Sequence, residues 1–312
     1  MKKFVRRLLY FFVPPILVLL PIDIYLSKGL KNTSLAAAEY EVWNDLFYNN
    51  ISPEVAIYGS SRAWVHIDPM IIEDSLGLSA YNFGIDGHNF WLQYYRHKTL
   101  LKNTTPKTII HSVDINTLKK RRELYNYEQF LPYMLWNREM YEVTKSYVGF
   151  NLTDYSLPLA RFIGKRDFLS QYFNYEGITP VRTQGFQGQN REWNDDLKRA
   201  QAQMGSYTAD LDSASVELFR QYIQECKSLD INLILVYTPE YIDGQQFVTN
   251  RSEIMTLLKG IAQENNLPFL DYSDHYLSMD KKYFYNSMHL NATGAEIFTR
   301  ILAHDIKQIS AK

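Results

Sequence analysis

Short apolar runs alternate with amphipathic segments over most of the chain. Five runs are rich in β-favouring residues and end at a polar residue, glycine or proline, as buried parallel strands do. They cover residues 54–58, 78–83, 108–113, 231–237 and 267–270. Segments with helical spacing of apolar residues occupy 69–76, 89–102, 213–228, 252–261 and 293–309. This alternation predicts a three-layer α/β/α fold around a flavodoxin-like, five-stranded parallel sheet.

Residues 119–205 do not follow this alternation. They contain many aromatic residues with scattered glycine and proline. We interpret them as a long insertion, either a lid or a substrate-facing lobe. The predicted α/β domain is therefore 54–312, interrupted by an insertion at about 119–205.

The amino-terminal segment has the pattern of a membrane anchor. An apolar run from Leu8 to Leu26 approaches the roughly 20 residues needed to cross a bilayer, and basic residues precede it. The positive-inside rule then places the rest of the chain on the extracytoplasmic side of the cell membrane. We predict a transmembrane helix within residues 1–30 and a linker at 31–53. The alternative is a cleaved signal peptide, and Pro14-Pro15 and Asp23 weaken the anchor itself.

Composition and charge narrow the classes of function. The 312 residues include 33 Lys and Arg against 34 Asp and Glu, a net charge of −1, which gives no electrostatic case for binding nucleic acid. The single cysteine, Cys226, allows no intrachain disulfide and fits a helix core. No histidine pair has metal-ligand spacing on one helix, and no glycine-rich phosphate loop follows the first strand. We therefore predict neither a metal nor a cofactor.

Candidate chemistry begins at Gly59-Ser60-Ser61-Arg62, directly after the first strand. A serine on this turn lies at the carboxyl edge of the sheet, where open α/β sheets bind ligands. A serine nucleophile needs a base within hydrogen-bond reach, and His289, just before the last helix, is the best candidate. The alternative is that the two serines only cap a helix.

These residues, in this order, resemble the SGNH (GDSL-like) hydrolase superfamily. Its first block, Gly-Asp-Ser, corresponds to Gly59-Ser60-Ser61, and its second and third blocks correspond to Gly84 and Asn116. Its last block, Asp-x-x-His, corresponds to Asn286-x-x-His289. The chain looks most like the membrane-anchored SGNH proteins that work beside membrane-bound O-acyltransferases on cell-surface polymers.

The resemblance assigns roles to the matching positions. Ser61 would be the nucleophile, His289 its general base, and Asn286 the residue that orients the histidine. The oxyanion hole would consist of the backbone N–H groups of Ser61 and Gly84 with the side-chain amide of Asn116.

Asn286 departs from the family pattern, which has a carboxylate at this position. If its oxygen accepts the ring N–H of His289, the histidine keeps the useful tautomer, but the imidazolium charge is not offset. Three possibilities follow: a weakly oriented serine–histidine pair, a carboxylate supplied by Asp86, Asp114 or Asp271, or an inactive relative.

The resemblance also implies a function. It is that of a serine esterase or acyltransferase that acts through a Ser61 acyl-enzyme on O-acyl groups of an extracytoplasmic polysaccharide. The candidate partner is a membrane-bound O-acyltransferase. The alternative is a weak or inactive SGNH-fold subunit that binds glycan or assists such a partner. Arg62 is predicted to bind an anionic group of the substrate, with a surface salt bridge as the competing interpretation.

Overall fold

The computed structural model describes residues 2–177 and 181–310, with the side chains of residues 2, 5, 8–16 and 310 outside that description. The chain forms two compact units. The smaller unit comprises Met1–Asn44 and Arg121–Val181, and the sheet unit comprises Asp45–Lys120 and Arg182–Lys312.

The regular elements are thirteen α-helices and seven strands in the described part of the chain. The helices are α1 (Lys2–Lys31), α2 (Glu39–Phe47), α3 (Ser61–His66), α4 (Pro69–Leu76), α5 (Phe90–Leu100), α6 (Arg138–Thr144), α7 (Leu152–Ser156), α8 (Arg166–Phe173), α9 (Asp196–Met204), α10 (Ser213–Ser228), α11 (Ile242–Gln246), α12 (Arg251–Glu264) and α13 (Ala292–Ser310). The strands are β1 (Val55–Gly59), β2 (Ala80–Asn82), β3 (Thr108–Val113), β4 (Asn232–Tyr237), β5 (Phe269–Asp271), β6 (Phe284–Asn286) and β7 (His289–Leu290).

The sheet unit is built on a five-stranded parallel sheet in the order β2-β1-β3-β4-β5. All five strands predicted from the sequence are present, and their ends differ from the prediction by at most two residues. The order is the flavodoxin-like one. The predicted three-layer α/β fold is therefore confirmed.

Alternate residues of each strand bury their side chains on opposite faces of the sheet. On one face, Ile57 and Ile110 join an apolar cluster with residues of α3, α4 and α13. On the other face, Tyr58 and His111 meet aromatic rings of α5 and α10, among them Tyr222. The two buried faces fix the register of β1 and β3, so the carboxyl ends of these strands reach the same edge of the sheet.

A two-stranded antiparallel hairpin, β6-β7, precedes α13 and was not predicted. Its two strands are too short to leave a period-two hydrophobic pattern. Asn286 pairs with His289 across it, so the hairpin brings two predicted site residues side by side.

The predicted membrane anchor is not supported by the structure. No helix in the described part of the chain is long and apolar enough to cross a membrane. The side chains of residues 8–16, which form much of the predicted span, lie outside the description. Towards its end α1 is packed as protein core, because the Asp23 carboxylate is buried and accepts two hydrogen bonds of 2.7 Å from Arg161.

Residues 31–53, predicted as a linker, contain a buried helix. Tyr40 and Trp43 of α2 are fully buried within the smaller unit. The Tyr40 hydroxyl donates to the Glu128 carbonyl at 2.8 Å, and the Trp43 indole N–H donates to the side chain of Gln129 at 3.0 Å. The segment predicted as an insertion is divided between the units. Residues 121–181 belong to the smaller unit, whereas residues 182–205 belong to the sheet unit.

Candidate active site

Ser61 is the first residue of α3, directly after the turn that ends β1. Gly59 has a φ of 148°, and a Cβ there would lie 2.7 Å from the Ser112 carbonyl oxygen, so the turn requires glycine. Ser60 is the helix cap: its Oγ accepts the Arg62 N–H at 3.3 Å and donates to Asp114 Oδ2 at 2.6 Å. The capping interpretation therefore holds for Ser60, and Ser61 keeps its hydroxyl for another partner.

That partner is His289. The Ser61 Oγ lies 2.7 Å from His289 Nε2, although 228 residues separate them in the chain. Ser61 comes from the carboxyl edge of β1 and His289 from the β6-β7 hairpin. The distance is within the range required of a nucleophile and its general base.

The Asn286 side chain decides which tautomer His289 adopts. Its Oδ1 lies 3.0 Å from His289 Nδ1 and also accepts the backbone N–H groups of Met288 and His289, at 3.0 and 2.9 Å. Turning the amide around would set its NH₂ group against two backbone donors, so the network fixes the oxygen in this position. His289 therefore carries its proton on Nδ1 and presents the Nε2 lone pair to Ser61.

Two of the three carboxylates proposed as substitutes for the missing aspartate, Asp114 and Asp271, have other partners. Asp114 binds Ser60 Oγ and the Asn116 N–H, and Asp271 binds Ser273 and Lys259. Within the described residues, no carboxylate is hydrogen-bonded to the ring of His289. The arrangement is a Ser–His–Asn constellation, which fits two of the three possibilities left open by the sequence, a weakly oriented serine–histidine pair and an inactive relative.

The environment of His289 disfavours its protonated form. Burial lowers its pKa to about 3, and the positive charges of Arg62 and Arg191 add to the effect. A neutral Asn286 provides no opposing charge. His289 is therefore correctly oriented as a base, but it is weakly basic.

Gly84 does not have the freedom that an oxyanion-hole donor needs. Its N–H donates to Asn82 Oδ1 at 2.8 Å. A Cβ at Gly84 would lie 2.3 Å from the Trp64 backbone nitrogen, so the glycine permits close packing against α3. This packing explains the glycine, and the assignment of its N–H to an oxyanion hole is not supported.

Asn116 is held by groups that the sequence did not indicate. Its Oδ1 accepts a hydrogen bond from the Tyr207 hydroxyl at 3.2 Å, and that hydroxyl accepts one from Lys119 Nζ at 3.1 Å. Because the amide oxygen is engaged, the NH₂ group of Asn116 is directed away from Tyr207. Asn116 and Asn286 line one cavity of about 260 Å³, together with Tyr207 and other residues.

Arg62 does not face the solvent, contrary to its predicted role in binding substrate. Its side chain is 1% exposed and its Nη1 lies 2.7 Å from Glu240 Oε2. Its Nε donates to Thr238 Oγ1 at 3.1 Å, and its guanidinium also donates to the Thr238 carbonyl. The guanidinium stacks 4.6 Å from the Tyr237 ring. The competing interpretation was also wrong in one respect, because the salt bridge is buried and not on the surface.

His66, one turn further along α3, connects this buried network to the hairpin. Its Nε2 accepts the Leu290 N–H at 3.0 Å, and its Nδ1 is therefore the donor to Thr238 Oγ1 at 2.9 Å. Since Leu290 follows His289, this contact fixes the backbone next to the candidate base.

One face of the His289 ring is covered by an aromatic side chain, which a cationic side chain covers in turn. The Tyr285 ring stacks on the His289 ring at 5.3 Å with an interplanar angle of 6°. The Arg191 guanidinium lies 4.7 Å from the centre of the Tyr285 ring. Neither residue was predicted, and Arg191 lies in the segment predicted as an insertion.

No group of three or more His, Cys, Asp or Glu side chains suited to a metal ion occurs among the residues that the structure describes.

Comparison with known proteins yields structural similarity alone. No protein-family model and no curated protein sequence matches the chain. A GDSL-like lipase from Bacteroides thetaiotaomicron shares 13% identity over 86% of this chain and 98% of its own, with a TM-score of 0.43. An acetyl xylan esterase has 13% identity, coverage of 82% and 98%, and a TM-score of 0.42. A lipase/acylhydrolase from Enterococcus faecalis shares 11% identity over 81% of this chain and 95% of its own, with a TM-score of 0.43. Similarity this weak does not establish a family.

Proposed function

We propose that this protein is a serine ester hydrolase or acyltransferase of the SGNH type. One observation carries the proposal: Ser61 Oγ lies 2.7 Å from His289 Nε2, while the other ring nitrogen of that histidine lies 3.0 Å from Asn286 Oδ1. The nucleophile, the base and the orienting group are thus linked by hydrogen bonds in the spatial order that serine hydrolases require.

The proposed reaction begins with this serine–histidine contact. His289 Nε2 takes the Ser61 hydroxyl proton while Oγ attacks the ester carbonyl, and the Asn116 amide and the N–H of Ser61 at the start of α3 stabilise the oxyanion. The imidazolium then returns the proton to the leaving alcohol, and the acyl group remains on Ser61. Attack by water gives hydrolysis, whereas attack by a second alcohol gives acyl transfer.

The substrate and the location are finer parts of the same proposal. We propose O-acyl groups of a polysaccharide on the extracytoplasmic side of the cell membrane, with a membrane-bound O-acyltransferase as a partner. The support is the sequence resemblance and the basic, apolar pattern of the first 26 residues.

Labelling with a fluorophosphonate tests the proposal directly. The probe should modify Ser61, and Ser61→Ala should abolish labelling. Ser60→Ala is the matched control, because it removes the neighbouring hydroxyl but leaves the nucleophile in place. Absence of labelling in a folded protein, or labelling that survives Ser61→Ala, would refute the assignment.

A weak or inactive subunit that binds glycan is the second candidate. The neutral Asn286 and the pKa of His289 near 3 favour it, because they limit how strongly Ser61 is activated. Labelling at Ser61 without turnover of any ester would favour this candidate.

A further inference from the structure

Five side chains form a cationic and aromatic surface next to His289, which we call the rim: Arg191, Trp193, Tyr241, Lys281 and Tyr285. Arg191 lies over Tyr285 at 4.7 Å. Lys281 Nζ lies 5.1 Å from the centre of the Trp193 ring and 5.2 Å from that of Tyr241. The Trp193 and Tyr241 rings are themselves 4.9 Å apart. The rim thus pairs each of two cations with aromatic faces.

Backbone hydrogen bonds attach the rim to the elements that carry the candidate site. The Asn194 N–H donates to the Tyr285 carbonyl at 3.0 Å, which holds the segment of Arg191 and Trp193 along β6. The Tyr241 N–H donates to the Ser287 carbonyl at 2.9 Å, in the turn between Asn286 and His289. A polymer lying on the rim would therefore pass beside the Ser61–His289 pair.

The two cations of the rim are exposed and lack an acidic partner. In the described part of the chain, no carboxylate forms an ion pair with Arg191 or Lys281, whereas the adjacent Lys282 pairs with Asp280 at 2.8 Å. One acid is near enough to act on the rim. Burial raises the pKa of Tyr285, the charge of Arg191 lowers it, and the charge of Asp86 raises it. An arginine held over an aromatic ring by this contact still has N–H groups that can bind an anion.

From these contacts we infer that the rim binds an acidic polysaccharide, with sugar faces against Trp193 and Tyr241 and carboxylates against Arg191 and Lys281. The half-buried rings of Trp193 and Tyr241 offer a flat apolar surface at low entropic cost, and the unpaired cations select for negative charge. The inference deepens the proposed function, since it names the polymer that would carry the ester. Binding itself does not require a reactive serine.

Binding should be measured on the Ser61→Ala protein, so that turnover plays no part. Isothermal titration with polygalacturonate is compared with titration of neutral dextran, at low and at moderate salt. We expect binding of polygalacturonate only, weakened by salt. The Arg191→Gln/Lys281→Gln double variant should lose about tenfold or more in affinity, since two charge-assisted contacts are removed. Lys282→Gln, which removes a neighbouring but paired cation, is the matched control and should bind normally.

Three outcomes would overturn the inference. They are equal affinity for dextran and polygalacturonate, an unchanged affinity in the double variant, and a loss that Lys282→Gln reproduces, because such a loss would reflect net charge alone. Thermal melting of each variant verifies that the fold is intact. Fluorophosphonate labelling of the protein that retains Ser61 tests the proposed function separately. The proposed function and the proposed binding of polysaccharide can therefore fail independently.

Discussion

Replacing Asn286 by aspartate tests how much the missing carboxylate costs this site. The substitution is isosteric, and one carboxylate oxygen can keep the three N–H contacts that Asn286 Oδ1 now accepts. The tautomer of His289 is already correct in the present protein. The change therefore adds a negative charge beside the imidazole and alters little else.

The size of the effect follows from the distance between the charges. At about 4 Å between charge centres and an effective dielectric constant of about 20, the attraction is about 4 kcal/mol. This corresponds to about three pKa units. The pKa of His289 should therefore rise from about 3 to about 6. The same attraction stabilises the imidazolium of the transition state, so kcat should increase by about tenfold to 10³-fold.

The assay is hydrolysis of p-nitrophenyl acetate between pH 3.5 and pH 9. With His289 neutral throughout, the present protein should show no acid limb above about pH 4. The Asn286→Asp variant should be faster at pH 8 and should lose activity below about pH 6. Asn103→Asp, which adds the same charge at an exposed position, should leave both the rate and the profile unchanged.

A variant that folds but shows neither a higher rate nor a new acid limb would refute this reasoning. It would mean that His289 does not act as the base, and it would favour the inactive-subunit candidate. An acid limb near pH 6 in the unaltered protein would contradict the pKa on which the argument depends.

Three further predictions follow from the same contacts. Tyr207→Phe frees the Asn116 amide to rotate, so kcat should fall about tenfold at nearly constant KM, measured on the same ester. Glu240→Ala leaves Arg62 as an unpaired buried charge and should lower the free energy of unfolding by about 3–5 kcal/mol, measured by urea denaturation. Four buried histidines have pKa values that burial lowers, so they take up protons only when the protein unfolds. The free energy of unfolding should therefore fall below about pH 6.5, by up to ~1.4 kcal/mol per pH unit for each histidine. Equal urea midpoints at pH 7 and pH 5 would contradict this. The four are His66, His97, His111 and His289.

The sequence predicted the positions of the site residues that follow the ends of strands. In a parallel sheet with both faces covered, residues that follow β1 and β3 must meet at one edge, so the positions of Ser61 and Asn116 follow from the hydrophobic pattern alone. The prediction of His289 as the base, just before the last helix, rests on the same geometry. Its 2.7 Å distance from Ser61 agrees with that expectation.

What the sequence could not predict depends on pairing between distant polar groups. The sequence alone predicts a surface or substrate-binding Arg62, because its partner, Glu240, lies 178 residues away. A glycine can serve a backbone donor or a close approach equally well, and only the distance to Trp64 shows which applies to Gly84. Nothing in the sequence pattern indicated a role for Tyr207, which lies just after the segment predicted as an insertion.

The two arginines near His289 differ in a way that links the rim to catalysis. Glu240 neutralises the charge of Arg62, whereas Arg191 has no acidic partner in the described residues, and both lower the pKa of His289. A carboxylate bound to Arg191 would cancel its field and raise that pKa. Because kcat reports the enzyme–substrate complex and kcat/KM the free enzyme, acetylated polygalacturonate should give a kcat acid limb at higher pH than that of kcat/KM. A neutral acetyl ester should show no such separation, and a separation that persists in Arg191→Gln would show that the substrate acts elsewhere.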